Sequence, residues 1–164
     1  MQTSQIPSGG PGRTGTGAQG EPVRAPLQYV TFTSNGGHYG VDIMAVREIR
    51  SWQPTTPLPG RGAGARGVLD IRGQVVEVFD LSQVLGGPPL EAARGNVVLV
   101  LALDSRTIGI LVDSVSDIIQ VGADTLMPVP TAGAVSSAVG QIRGMVHHED
   151  RLIAIVSLED LFPS

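Results

Sequence analysis

Two stretches of the sequence carry residue types that bind metals or phosphate, and neither is complete. Residues 147–150 read His-His-Glu-Asp, but adjacent strand residues point to opposite faces, and no third well-spaced ligand accompanies them. Residues 60–67 are rich in glycine, but they lack the Gly-Lys-Ser/Thr ending of a phosphate-binding loop and the helix that follows it. We therefore expect a hairpin tip at 147–150, a solvated loop at 60–67, and neither a metal nor a cofactor.

Candidates for catalysis are equally sparse. Asp42 and Asp113 occupy near-equivalent places in the two halves of the chain, but a general acid and base need a pocket that small packed barrels seldom leave. His38 has no identifiable nucleophile partner, and no Gly-x-Ser-x-Gly elbow is present. The chain has no cysteine, and its 11 basic residues are all arginine, which excludes thiolate sites and Schiff-base lysines. The sequence predicts a protein that is not an enzyme.

Charge and hydropathy exclude two further classes of partner. The 11 arginines face 15 carboxylates, for a formal net charge of -4, whereas nucleic-acid binders cluster positive charge. The longest apolar runs, such as residues 97–103, fall far short of the ~20 residues that a membrane span requires. The first thirty residues lack the pattern of a signal peptide. We expect a cytoplasmic protein that neither binds nucleic acid nor inserts into a membrane.

These residues have to be positioned by short strands, since apolar and β-branched residues recur in brief runs separated by turn residues. Helical signals are limited to one or two turns at 81–85 and 158–162 and a single turn at 44–45. Residues 1–26 contain six glycines and four prolines and are predicted to be a disordered tail, which leaves 27–164 as the folded part. The ten predicted strands are 28–33, 38–43, 46–52, 67–71, 74–80, 96–103, 107–112, 115–121, 141–146 and 151–156.

An internal repeat organises the strands. Residues 40–49 match residues 109–118 at a separation of 69, with the shared pattern Gly-x-x-Ile/Val-x-x-Val-x-acid-Ile. Further on, Arg66 and the residues that follow it match Arg143 and its successors at a separation of 77. The repeat predicts two similar halves of about five strands each, and short sheets commonly close into small barrels to remove their edges.

With the repeat laid out, the sequence resembles the CheW family of bacterial chemotaxis adaptors from about residue 28 to residue 162. Any one of the matching segments is a weak signal, but several in the correct order and spacing are specific. They are 39–43 with 46–49, 67–73 with Val76 and 80–81, Gly109 with 112–113 and 115–118, 128–130, and Gly144 with 152–161.

The resemblance implies an all-β fold of two five-stranded Src-homology-3-like barrels related by the internal repeat, with few short helical turns. The subdomains would span roughly 27–90 and 95–162, and exchange of strands between them is left open. The implied function is a scaffold that couples the cytoplasmic tip of a transmembrane chemoreceptor to the regulatory domain of the histidine kinase CheA, in the cytoplasm and recruited to receptor arrays. The alternatives are a related adaptor for a non-flagellar system such as pilus motility, and a small-ligand-binding β-barrel protein.

Carried over by matched motif, the resemblance also implies a receptor-binding groove between the barrels. Its residues would be Val46, Glu48, Gly67, Arg72, Gly109, Val115 and Ile118.

The residues themselves leave alternatives open. Val46, Val115 and Ile118 read equally as core residues of strands. Gly67 and Gly109 are first interpreted as positions where the backbone packs so closely that a Cβ would clash. Glu48 and Arg72 are either an ion pair that fixes the groove wall or two independent solvated charges.

Overall fold

The computed structural model describes residues 27–60, 62, 64–91, 95–122, 125–129 and 141–163, so the predicted tail at 1–26 lies outside the described residues. The described residues form ten strands, two helices of four residues each and one 3-10 turn, Ile43–Ala45. The helices are α1 (Leu81–Val84) and α2 (Leu158–Leu161). The strands are β1 (Leu27–Ser34), β2 (Gly37–Asp42), β3 (Val46–Ser51), β4 (Ala65–Ile71), β5 (Gln74–Asp80), β6 (Val97–Ala102), β7 (Thr107–Val112), β8 (Ser114–Val121), β9 (Ile142–His148) and β10 (Arg151–Val156).

The all-β prediction is confirmed, and every strand was predicted with its ends within two residues. The strands form two five-stranded sheets: the first sheet has the order β8-β1-β2-β10-β9 and the second has the order β3-β6-β7-β5-β4. Adding five to a strand number, or subtracting five, converts one order into the other. The internal repeat is therefore present in the topology as well as in the sequence.

The repeat extends to the register of single residues. Gly40 pairs with Ile155 across the parallel β2–β10 contact, and its counterpart Gly109 pairs with Val78 across β7–β5. The β3–β6 ladder is shifted between Val46 and Glu48, and the β8–β1 ladder is shifted at the same place in the repeat. Such conserved irregularities bend a strand and re-aim its side chains, so both halves curl in the same way.

Each sheet takes strands from both halves of the repeat. The first sheet joins β1 and β2 to β8–β10, and the second joins β6 and β7 to β3–β5. On β6, Val98 and Val100 pack into a cluster within the second sheet, whereas Leu99 and Leu101 pack into a core that both sheets share. Since the side chains of a strand alternate between its faces, the central strands are buried on both sides.

The two outer strands of each sheet are brought towards each other. After β3 the chain crosses to the far edge of the second sheet, where Thr56 and Val68 exchange two backbone hydrogen bonds of 2.9 Å. After β8 the chain makes the equivalent crossing, and Met127 and Met145 exchange two of 2.8 Å. Each sheet is thus curled like a small barrel, with its edges joined at one isolated bridge. Strands β3 and β8 occupy equivalent edges of the two sheets, and each has residues exposed at the surface.

Candidate functional site

The candidate site is built from the edge strands β3 and β8, which carry four of the seven residues implied by the resemblance. Val46 on β3 and Val115 on β8 are counterparts in the repeat, and both are half-buried against the core that the two sheets share. Their apolar side chains are therefore partly structural and partly available at the surface. The reading of these valines as core residues is thus confirmed in part, and their place in a receptor groove stays a prediction.

Exposed isoleucines flank the two valines. Ile118 on β8 is 60% exposed, and Ile49, its counterpart on β3, is 50% exposed. Single exposed apolar residues are ordinary, but these two occupy the same position in both repeats. Ile118 is therefore a surface residue and not core, and it has a matched partner on β3.

Glu48 lies beside Ile49 and is the electrostatic centre of the β3 surface. Its Oε2 accepts a hydrogen bond of 2.6 Å from Arg72 Nη1, and its Oε1 accepts one of 3.0 Å from Arg50 Nη1. These arginines, through the hydrogen bond from Arg50 first and the charge of Arg72 next, hold the pKa of Glu48 below its usual value against the opposing effect of desolvation. The ion pair between Glu48 and Arg72 is thus formed, and the alternative of two independent charges is wrong.

The position of Arg72 follows from the local backbone. It occupies the turn between β4 and β5 with φ of 53°, in the left-handed region that ordinary residues seldom adopt. Asp70 Oδ1 stabilises the turn by accepting a hydrogen bond of 2.9 Å from the Gly73 amide. The curl of the second sheet brings this turn across to β3, so that the Glu48–Arg72 pair joins its two outer strands.

The two glycines of the implied groove lie inside the structure. A Cβ on Gly67 would lie 2.4 Å from the carbonyl oxygen of Thr56, and Gly67 has φ of 121°. A Cβ on Gly109 would lie 2.9 Å from Val98 Cγ1 and 3.4 Å from Val78 Cγ2. Gly67 allows the chain after β3 to cross over β4, and Gly109 allows β7 to pack tightly, so both are backbone devices as first read. The space above Gly67 is occupied by this chain's own backbone.

The structure thus brings together some of the predicted residues and separates others. Glu48 and Arg72 are in contact, and Val46 and Val115 share one core. Gly109 lies in β7, at the centre of the second sheet, and Gly67 lies on β4, at the edge opposite β3.

Two surface residues were missed by the sequence reading, although the sequence held a signal for each. Ile49 is the repeat counterpart of Ile118 and follows from the separation of 69. Arg50 stands two residues after Glu48 on β3, and residues so spaced project from the same face of a strand. The contact between Glu48 and Arg50 is therefore readable from strand alternation.

The other candidates have structural roles. Asp42 Oδ1 accepts a hydrogen bond of 2.9 Å from the Met44 amide and caps the 3-10 turn, and Asp113 Oδ2 accepts one of 2.8 Å from the Asn35 amide. Residues 147–150 form the predicted tip between β9 and β10. In the described ranges, no three His, Asp or Glu side chains are grouped as metal ligands.

Comparison with known proteins gives a family for this arrangement. The sequence profile of the CheW-like domain matches residues 28–164. The chain is similar to the chemotaxis protein CheW of Rhizobium meliloti, with 38% identity over 84% of this chain and 88% of that protein. It is also similar to the chemotaxis protein CheW of Klebsiella aerogenes, with 31% identity over 84% of this chain and 82% of that protein.

The fold has a solved counterpart. The crystal structure of scaffolding protein TtCheW from Thermoanaerobacter tengcongensis matches with a TM-score of 0.76, covering 86% of this chain and 90% of that chain. Sequence identity to it is 23%, so the likeness concerns the fold.

Proposed function

The chain belongs to the CheW-like domain family, and from that premise we propose that it joins a chemoreceptor to the histidine kinase CheA within one signalling array. The match to the CheW-like domain over residues 28–164 supports its role as a chemotaxis adaptor. The helices of the described residues have only three or four residues each, too few to cross a bilayer. The proposed location is the cytoplasm, with recruitment to membrane arrays through the receptor.

The surface formed by β3 and β8 is the proposed receptor contact. Its apolar members are the isoleucine pair Ile49 and Ile118 and the half-buried valine pair Val46 and Val115. Such aliphatic positions suit the apolar face of a helical hairpin, which buries its own side chains in a groove. The proposed charged wall is Glu48 with its two arginines, which would fix the orientation of the receptor helix more than it adds affinity.

Coupling on this proposal requires binding only, with no bond made or broken. If the receptor surface and a separate kinase surface are occupied together, a rearrangement of the receptor changes the free energies of the kinase conformations. The rigid unit between the two contacts would be the core shared by both sheets, into which Val46 and Val115 pack.

The test is co-sedimentation of the purified protein with a receptor signalling domain and CheA. We expect the wild-type protein to join both partners and Ile118→Lys to lose the receptor while keeping its fold, because the residue is exposed. The matched control is Leu152→Lys, which also places a charge on an exposed strand residue. Leu152 lies on β10, which β1 and β2 separate from β8 in the order of the first sheet, so it is outside the proposed contact. The control should bind like wild type.

Two outcomes would contradict the proposal. If the wild-type protein joins neither partner, the coupling function is wrong. If Ile118→Lys, Val115→Lys and Arg72→Glu all bind the receptor domain normally while circular dichroism shows them folded, the coupling function stands and the assignment to β3 and β8 is wrong.

A further inference from the structure

A cavity of about 280 Å³ opens at one end of the molecule, beneath the β6–β7 hairpin and beside α2. Its lining includes Ala45, the residue before β3, and Tyr29, which pairs with Ile119 of β8, but the proposed receptor contact uses none of the lining residues. The residues that matter for its chemistry are Tyr29, Asp42, Asp104, Arg106, Arg143 and Glu159.

The other half of the repeat fills its equivalent space with its own chain. After α1, residues 86–90 fold back, and Leu90 is buried in the apolar cluster of the second sheet. The Leu90 carbonyl accepts a hydrogen bond of 2.6 Å from Arg66 Nη2, and its amide donates one of 2.7 Å to Asp80 Oδ2. The Pro88 carbonyl accepts one of 2.6 Å from Ser82 Oγ. An extended segment is therefore held by its backbone and by one side chain.

The residues around the open cavity are the repeat counterparts of the residues around that segment. Arg143 corresponds to Arg66, which binds the Leu90 carbonyl, and Tyr29 corresponds to Val98, which shares a cluster with Leu90. In the second half, the described residues after α2 remain at the rim, where Arg106 Nη2 lies 3.5 Å and 3.4 Å from the last two described carbonyls. The cavity therefore has walls equivalent to those that hold residues 86–90, and no segment of the described residues occupies it.

A buried polar group points to a ligand independently of the repeat. Tyr29 is 1% exposed, and its hydroxyl has no hydrogen-bond partner of ordinary geometry among the described residues. Burial raises the pKa of the Tyr29 hydroxyl against the lowering effect of the nearby Arg143 guanidinium, so it is a neutral group able to donate and to accept. A buried hydroxyl without a partner costs free energy, and an occupant that bonds to it would recover that cost.

The charges differ between the two sites and indicate what the occupant carries. Asp42 takes the place of Leu111, and Asp104 takes the place of Asn35, whose side-chain amide donates to the segment at the other site. Glu159 is the third carboxylate of the lining and lies 3.4 Å from Arg143. The lining also holds Arg106 and Arg143, so its three carboxylates exceed its guanidiniums by one. Carboxylates accept hydrogen bonds where the other site has a donor or an apolar wall, so a cationic side chain is favoured.

We propose that this cavity binds an extended peptide segment of a partner protein that carries an arginine or lysine side chain. One backbone carbonyl of the segment accepts from Arg143, as the Leu90 carbonyl accepts from Arg66. The basic side chain enters beside Tyr29 and Asp42, where the counterpart site holds the leucine side chain. Asp104 at the rim binds a donor of the segment.

The test is a titration of the full chain, labelled for NMR, with the acetylated and amidated peptide Gly-Gly-Pro-Pro-Arg, which follows the sequence of residues 86–90 with arginine in place of leucine. We expect saturable shifts at the cavity residues with a dissociation constant of about 1 mM, as suits a short flexible peptide. The same peptide ending in glutamate should not bind. Equal binding of a peptide ending in leucine would overturn the assignment of a basic side chain, and an absence of saturable shifts would overturn the site.

Two variants test the contacts without altering the shape of the core. Tyr29→Phe removes only the unpartnered hydroxyl, and Asp104→Asn removes one exposed charge at the rim, and each should weaken the arginine peptide about fivefold to tenfold. Asp150→Asn, at the exposed β9–β10 tip, is the matched control and should bind like wild type. Unchanged affinity in both cavity variants would overturn the proposed contacts.

A final experiment distinguishes a segment of a partner protein from a segment of this chain as the occupant of the cavity. If Asp104→Asn shifts the amide signals of residues 1–26 in the absence of peptide, the chain's own N-terminal segment is the occupant and the assignment to a partner is overturned. Signals of 1–26 that remain unmoved support the partner.

Discussion

The two halves of the molecule have the same strand topology but differ in how tightly equivalent positions are packed. At the crossing of the second sheet, Gly67 lies beneath Thr56, and a Cβ would come within 2.4 Å of its carbonyl oxygen. At the equivalent crossing of the first sheet, a Cβ on Gly144 would lie 3.0 Å from the Met127 carbonyl oxygen. Only Gly67 has a positive φ. The backbone is thus repeated while its packing constraints are not.

The same difference appears at the ends of the sheets. The first half covers its site with Leu90, whereas no described residue fills the counterpart site beside Tyr29. The site that Leu90 fills is part of the apolar cluster of the second sheet. Its open counterpart, lined by Asp42, Asp104 and Arg143, remains available for a ligand. The two sites therefore differ in whether a segment of the described chain fills them, while both halves contribute to the proposed receptor surface through β3 and β8.

The largest expected effect comes from replacing the two crossing glycines by alanine. We expect Gly67→Ala to lower the free energy of unfolding by about 4 kcal/mol, since backbone overlap and a strained φ each cost about 1–3 kcal/mol. Gly144→Ala should cost only about 1 kcal/mol, because a contact of 3.0 Å requires a small adjustment. Urea denaturation of both variants measures the difference. Equal losses would show that the two crossings are equally constrained.

The next effect concerns the filled and the open site. Leu90→Ala should lower the free energy of unfolding by about 3 kcal/mol, because it opens a cavity inside the apolar cluster of the second sheet. Tyr29→Phe, at the counterpart wall of the open cavity, should change the free energy of unfolding by less than about 1 kcal/mol. The change should be an increase, since a buried unpartnered hydroxyl is removed. Thermal unfolding of the two variants side by side provides the measurement. A large loss in Tyr29→Phe would mean that the hydroxyl already has a partner.

How much of the fold could be predicted depends on how far apart in sequence the interacting residues lie. Strand positions follow from local alternation of apolar residues and from turn residues, so even β5 and β7 were predicted with their observed ends. The separations of 69 and 77 relate the pairing of Gly40 with Ile155 to that of Gly109 with Val78, although neither pairing was predicted from the sequence. Repetition carries long-range information that single strands lack.

The candidate site was less predictable, because side-chain contacts depend on how strongly each sheet curls. The charges of Glu48 and Arg72 are 24 residues apart in sequence, and only the return of the β4–β5 turn to β3 makes them a pair. The close approach of the Thr56 backbone to Gly67 could not be predicted either, since no local pattern shows that Thr56 crosses Gly67. The cavity beside Tyr29 was not predicted, since no pattern in the sequence shows that it is left unfilled by the described residues.

A smaller effect compares the acid–arginine contacts of the two edges. Glu48 and Arg72 approach to 2.6 Å, whereas the counterpart acid Asp117 and Arg151 approach only to 3.6 Å. Double-mutant cycles with alanine at each pair should give a larger coupling for Glu48–Arg72 than for Asp117–Arg151, with both below the two preceding effects because exposed ion pairs contribute little. A larger coupling for the Asp117 pair would reverse this ranking of the two edges.

The smallest effect is the titration of Glu48, which distinguishes its two arginines. Arg72 makes the shorter contact but its side chain is 76% exposed, whereas that of Arg50 is 29% exposed. Because water screens the charge of an exposed partner, we expect Arg50→Gln to raise the pKa of Glu48 further towards its usual value than Arg72→Gln does. Since the folded pKa lies below the usual 4.5, the stability that the carboxylate adds is fully present above about pH 4.5 and is lost as the pH falls through the folded pKa. NMR titration of the Glu48 side chain in the two variants gives the order. A larger rise in Arg72→Gln would show that contact distance outweighs solvent screening on this strand.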